Sequence, residues 1–388
     1  MTSRSIAGTA AASALCLAVT QSTSGQTAAP AHPRVAVVVD GRGRLESDVR
    51  STREDGTPRD DRHRGRMRAR VEVRGSVGRS WLVIGRVRTG SPFSQQSPHV
   101  TLFDLSGGRR DALRAVADKY VVHYTANRID IWGGRNEFPF WTQNEMFWDR
   151  DVTLAGGAVA YRAPLRRPAL RLTAGYFGLP DGAVELRGRM AAGQIVAAVP
   201  VSDALSFQAA AGLFDMHGAS TNKYLLASGA RDYRIAVGSL QATRTLRHKW
   251  LGALRVGADV LRNLQAYAAD PDPGVVALRH ATTGIVLTSA LSGRKQAGQR
   301  HAWEVGHTYA RIEKLAVHAS YAQDDWVRWG SATQTDASDL RGSEANGRYW
   351  ISRDVDVHAR AFFVRSLSRP QHGSRVRVDL NWRLAFQR

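Results

Sequence analysis

The chain has 388 residues and carries 54 Lys and Arg against 34 Asp and Glu, a formal charge of +20. That is chain enough for one large domain or two ordinary ones, and a single cysteine excludes a disulfide framework or a Cys-based zinc cluster. Beyond residue 30 no apolar run is long enough for a helical membrane span, so the charge points first to nucleic acid.

Residues 1–30 argue against that partner. Arg4 supplies a short basic region, Ile6 to Val19 form an apolar stretch, and small polar residues lead to Ala28 and Ala29. This is the layout of a secretory signal, predicted over 1–27 with cleavage between residues 24 and 31. Cys16 follows Leu15 rather than the small residue a lipoprotein signal needs. An exported chain does not meet DNA.

Residues 28–63 hold one short apolar run and then a charge-dense stretch with Gly and Pro, predicted as a low-order periplasmic or plug-like lead-in. From Arg64 the texture changes and stays changed. In 66–74, Met67, Ala69, Val71 and Val73 fall on one face and Arg66, Arg68, Arg70, Glu72 and Arg74 on the other. In 375–386, Val376, Val378, Leu380, Trp382, Leu384 and Phe386 oppose Arg375, Arg377, Asp379, Asn381 and Arg383. A period of two is that of a strand; a helix would scatter arginine all round its cylinder.

Weaker copies recur at 80–89, 119–125, 127–134, 153–162, 168–178, 187–199, 204–214, 231–243, 250–262, 279–291, 299–310, 315–323, 345–353 and 355–365. The best helical pattern, 109–118, is a turn or two long and equally suits a lead into a strand. No blade-length or solenoid period is visible, which disfavours propellers and β-helices. The prediction is an all-β transmembrane antiparallel β-barrel of about sixteen strands over 64–388.

A membrane barrel is favoured over a soluble one by the apolar faces. They carry Val, Leu, Ala and Gly, with Trp and Tyr near segment ends, as at Trp81, Tyr120, Tyr176, Trp303, Tyr309, Tyr321, Trp350 and Trp382. Lipid-facing bands edged by aromatic girdles around a polar lumen have this form. Phe386 suits the last strand of an exported barrel. One conflict stands: if short turns alternate with long loops, the long 263–278 stretch falls on the turn side.

Two blocks resemble the bacterial putative-porin family of outer-membrane barrels. In 128–162 these are Gly134-Arg135, Pro139-Phe140, Trp148-Asp149-Arg150-Asp151 and Gly156-Gly157; in 301–326 they are Trp303, Tyr309, Ile312, Glu313, Ala316 and Val317. Asp259 and Asn263 are similar too, whereas Lys314 and Leu315 stand where the family has an acid after Glu313. The resemblance spans most of 64–388 and implies a barrel and a pore of unassigned substrate, with no catalytic residues.

If the last strand closes on the first, 355–365, 375–386, 64–75 and 80–89 form one wall. Its polar faces hold Arg66, Arg68, Arg70, Arg74, Arg86, Arg88, Arg360, Arg375, Arg377 and Arg383, against Glu72, Asp356 and Asp379. Guanidinium groups along a narrow water channel favour anions and match carboxylate and phosphate geometry. The expectation is a passive diffusion channel for small hydrophilic solutes that prefers anions. Within 137–151, Glu137, Glu145, Asp149 and Asp151 are expected to pair with Arg135 and Arg150 and fold the segment inward as a constriction, rather than form a calcium or substrate loop.

Two alternatives remain from the sequence. Asp356 and His358 share one face of a strand, which allows a barrel hydrolase, and residues 34–63 could plug a structural or adhesive barrel. His301, Glu304 and His307 have a zinc-like spacing, but a strand turns Glu304 away from the two histidines. No nucleophile elbow, P-loop or dinucleotide fingerprint occurs, so no enzyme, metal or cofactor is expected. The expected partners are outer-membrane lipid and lipopolysaccharide, the barrel assembly machinery, and small hydrophilic or anionic solutes. The chain is placed in the bacterial outer membrane, with a homo-oligomer left open.

Overall fold

The computed structural model describes residues 34–108, 110–165, 168–220, 230–326 and 338–387. The signal predicted over 1–27 lies outside the described residues. In chain order the elements are β1 (Arg34–Val49), β2 (Arg62–Val77), β3 (Trp81–Thr89), β4 (Val100–Asp104), β5 (Ala115–Ala126), β6 (Ile129–Glu137), β7 (Thr153–Arg162), β8 (Ala169–Pro180) and β9 (Leu186–Pro200). They continue with β10 (Leu205–His217), β11 (Tyr233–Thr245), β12 (Leu251–Asn263), α1 (Pro273–Ala277), β13 (Thr283–Gly293), β14 (Trp303–Ile312), β15 (Leu340–Trp350), β16 (Val355–Ser366) and β17 (His372–Gln387).

All pairings are antiparallel, and β17 returns to β1, with Ala36 opposite Gln387 and Val49 opposite Ser374. The five-residue β4 pairs with β2 at Arg64–Met67, past the point where β3 leaves it, and so shares β3's place in the wall. The sheet is a closed barrel of sixteen wall strands.

The count agrees with the sequence prediction through two errors that cancel. Residues Arg34–Val49 are not a lead-in or a plug: they form β1, the staple between β17 and β2. The four-strand wall expected from the sequence therefore has a fifth member, and β17 does not pair with β2. Conversely, 315–323 is not a strand. Leu315 to Gln323 are buried at every position and fold as turns.

Adding β1 also removes the topological conflict. The described residues of the connections at 78–80, 127–128, 163–168, 201–204, 246–250, 294–302 and 351–354 share one end of the barrel with the start of β1 and the end of β17. Those of the stretches at 50–61, 90–114, 138–152, 218–232, 264–282 and 313–339 share the other. The long stretch after β12 thus lies on the loop side. In the two-residue turn between β5 and β6, Asn127 takes the left-handed conformation at φ 48°, which asparagine tolerates better than most residues.

The wall is apolar outside and charged inside. On β2 and β3, Val71, Val73, Val83 and Val87 are 45–47% exposed, while Arg66, Arg68, Arg86 and Arg88 are only 2–7% exposed. In water this arrangement would forfeit apolar burial and bury guanidinium groups at once. Against lipid it is the favourable orientation. Trp81, Tyr161, Tyr349 and Trp382 sit near the turn-side ends of their strands, half-exposed in the same outer band. Gly41 is required on β1, because a Cβ there would stand 2.1 Å from the Trp382 ring lying across it.

Candidate permeation pathway

Inward-facing charge is concentrated on one arc of the barrel, formed by β15, β16, β17, β1, β2, β3 and β5. The facing arc, β9 to β13, turns Gln194, Ala210, Ser239, Gln241, Thr288 and other small or neutral side chains inward, with Arg255 and Asp259 of β12 as its charged members. Two connections fold into the space between.

The 138–152 segment lies against the neutral arc. Its Phe138, Phe140, Phe147 and Trp148 pack with Phe177 of β8 and Phe214 of β10; the Phe138 and Trp148 rings stack at 4.5 Å. Trp141 exchanges two hydrogen bonds with Gln194, at 2.7 and 2.9 Å, and Gln143 and Asn144 both donate to the Asp259 carboxylate. Apolar and polar anchors together overcome the entropy of ordering so long a loop. The described part of the second connection, 313–326, lies against the first: the Trp148 and Tyr321 rings stack at 5.3 Å, and Asp149 N–H donates to the Tyr321 carbonyl. Gln95 and Gln96, from the β3–β4 connection, donate to carbonyls of Ala319, Ser320 and Ala322.

Both inward segments present acids to the arginine arc. Asp151 lies 3.4 Å from Arg70 and 3.6 Å from Arg68, which also share Asp40 of β1. Asp325 accepts from Arg377 and Arg360, with Arg44 at 3.7 Å. Arg375 donates to Asp48 and to the Asp325 carbonyl. Arg86 grips Asp118 at 2.9 and 3.0 Å and Glu137 at 2.6 Å, Arg74 pairs with Glu72, and Arg88 reaches the carbonyls of Thr89 and Ser94. Arg66 donates to Ser97. Arg383 stands apart, exposed at the turn-side mouth.

The pairing expected within 137–151 holds only for Glu145 and Arg150, 3.1 Å apart. Glu137 and Asp151 turn to the wall arginines instead, and Arg135 is a peg in the wall that donates to Thr153 and the Val184 carbonyl. Asp356 is held by Arg348 and Asn381 rather than by His358. Glu304 turns inward to Arg255, with His307 exposed on the opposite face. Arg42, Arg44, Asp40, Asp118 and Asp325 were not among the candidates from sequence. The first three sat in a stretch read as low-order, and the last sat beyond a segment read as a strand.

The electrostatics have a direction. Burial, with Arg44, Arg66, Arg42 and Arg68 around it, pushes the His99 imidazole far below its usual pKa and leaves it neutral. Burial opposes ionisation of Asp325 and Asp151, yet the arginines outweigh it and hold both carboxylates below the usual range. Asp149 lies among acids: burial, then Glu145, Asp324, Asp151 and Asp325, raise its pKa well above the ordinary value. The potential therefore falls from the arginine wall to the inward segments.

Comparison with known proteins agrees with this architecture. A family model described as "Putative porin" matches residues 46–266. Solved structures with the same fold include OprB of Pseudomonas putida (TM-score 0.53, 11% identity, 90% of this chain and 94% of that one). OmpF of Salmonella typhi, in complex with daunomycin, gives a TM-score of 0.51 at 11% identity over 90% of this chain and 97% of that one. A loop-deletion mutant of OmpT, an outer membrane protein of Vibrio cholerae, gives 0.50 at 10% identity over 91% and 99%. A search of curated protein sequences returns no match.

Proposed function

Since the chain belongs to the family described as "Putative porin" and is an outer-membrane channel, we propose that it passes small hydrophilic solutes passively and anions in preference to cations. The observation that carries this reading is the one-sided placing of inward guanidinium groups: Arg42, Arg44, Arg66, Arg68, Arg86, Arg88, Arg375 and Arg377 all stand on one arc of the wall. His99 is buried beside Arg42, Arg44, Arg66 and Arg68, and burial together with these cations disfavours its protonated form. Arg68 also keeps a buried Nε–H without a hydrogen-bond acceptor. Such groups lower the cost of bringing an anion out of bulk water, and the same charges raise it for a cation.

Asp151 and Asp325 temper the wall. A channel must hold its solute weakly enough to release it, and acids interleaved with guanidinium groups keep each local site shallow. Export through the signal over residues 1–27, short turns facing the periplasm and long loops facing outward complete the reading.

Liposome swelling with size-matched anionic, neutral and cationic sugars tests it. The anionic and neutral solutes are expected to enter faster than the cationic one. Equal or faster entry of the cationic sugar contradicts the reading.

A further inference from the structure

The seven turn-side connections carry, by sequence, ten Lys and Arg against two acids, Asp203 and Asp354. Among the described residues, Arg79, Arg128, Arg247, Arg294, Arg300 and Arg353 are all exposed and none has a carboxylate partner. The loop side differs in its balance of charge. There Arg62, Arg187, Arg231, Arg234, Arg311 and Arg369 pair with Asp104, Asp181, Asp270, Asp215, Glu313 and Glu54. Arg50, Arg53, Arg110, Arg114 and Arg279 are exposed there without a carboxylate partner among the described residues, but acids outnumber Lys and Arg in the loop-side stretches. A general excess of arginine in the composition would leave both rims alike in net charge, so the cationic excess belongs to the turn side.

These cations lie just beyond an aromatic collar. Trp81, Tyr161, Tyr349 and Trp382 face outward near the ends of their strands, and Trp250, 67% exposed, stands in the 246–250 turn with Lys249 Nζ 5.6 Å from its ring centre. Aromatic residues of this kind seat at the boundary between acyl chains and headgroups. The next shell out is then at headgroup depth, where a ring of unpaired cations meets phosphate.

We propose that the turn-side rim is a docking belt for the headgroups of anionic phospholipids in the membrane leaflet it faces. The cations are spread over turns that follow β2, β5, β11, β13 and β15, so the belt runs round the circumference as the surrounding lipid does. Each cation offers phosphate a charge-assisted hydrogen bond without first breaking an ion pair. The belt is separate from the arginine arc inside the barrel and does not depend on what the channel conducts.

The test uses the full chain in nanodiscs of equal phosphatidylcholine and phosphatidylglycerol, with retained lipid counted by native mass spectrometry. The wild type is expected to hold phosphatidylglycerol at about threefold or more over its bulk share, an enrichment that falls as salt rises. The triple variant R247Q/K249Q/R294Q should bring the ratio close to one, with single-channel conductance unchanged as the check of folding. R247Q and R294Q alone should each give part of the loss, and R369Q on the loop side none. No enrichment in the wild type, or enrichment that survives the triple variant, overturns the proposal. So does charge-dependent retention on purified peptidoglycan without lipid enrichment, which would make the belt a glycopeptide contact.

Discussion

Asp325 accepts a hydrogen bond from Arg377 at 2.7 Å and another from Arg360 at 2.9 Å, so one carboxylate on an inward-folded connection ties together the last two strands of the barrel. Arg377 is fully buried, and the Arg375 side chain donates to the Asp325 carbonyl as well. The segment that narrows the lumen is thereby fastened to the wall that charges it.

Replacing Asp325 with Asn leaves Arg360 and Arg377 without their shared anion and should cost about 3 kcal/mol of stability. In planar bilayers the variant is expected to conduct more and to shift further toward chloride, as an acid is lost and the segment loosens. Because the carboxylate is held below its ordinary pKa, its contribution is complete above that ordinary value and lost as pH falls below it. The wild type should therefore approach the variant's conductance only in strong acid. Identical conductance and selectivity in the two proteins at neutral pH would remove Asp325 from the account.

Asp149 has the opposite sign. Its pKa is raised by burial and by neighbouring acids, so the protonated form persists to higher pH than usual. As pH rises through that value a negative charge appears within the inward segment, and chloride preference should decline. Asp149→Asn can still accept the backbone N–H of Asp151, bonded at 2.7 Å, and should abolish this decline while keeping the fold. Reversal potentials measured across a pH series decide it; a decline that survives in the variant rules Asp149 out as its source.

Trp148 stacks between Phe138 and Tyr321 and is 2% exposed. Trp148→Ala should cost about 3–5 kcal/mol and release the 138–152 segment from the 313–326 segment. The expected signs are proteolytic nicking within 138–152 and noisy channel openings. Protease resistance equal to wild type would mean that the hydrogen bonds of Trp141, Gln143 and Asn144 suffice by themselves.

Val378 is 42% exposed on the outer face of β17, midway along the strand and opposite Leu45 of β1. Val378→Arg should destabilise the barrel by about 2–4 kcal/mol in lipid, read from unfolding in urea. A cost near zero would place Val378 outside the apolar band.

The period-two alternation was easiest to see where both faces spoke, as in β2 and β17, and there strand and facing agree with the structure. β1 was misread because its outward positions include Gly41 and Gly43, which leave half the alternation without apolar content. The inward half, Asp40, Arg42, Arg44, Glu46 and Asp48, then reads as a solvated charge run. Gly41 is small because Trp382 lies over it, 341 residues on in the chain, and no local window sees that contact. The opposite failure befell 315–323, whose small and apolar residues serve a segment buried on all sides. The arginines of the candidate site were legible, as was the inward fold of 138–152. Their acid partners were not, because Asp325, Asp151 and Asp40 reach them only once the barrel closes.

The central claim is a lumen whose arginine wall outweighs its acids. The most direct measurement is the reversal potential of the refolded wild-type protein in a planar bilayer across a potassium chloride gradient at neutral pH. The account predicts a chloride-selective potential that weakens as ionic strength rises and the wall is screened. A potassium-selective potential would contradict it.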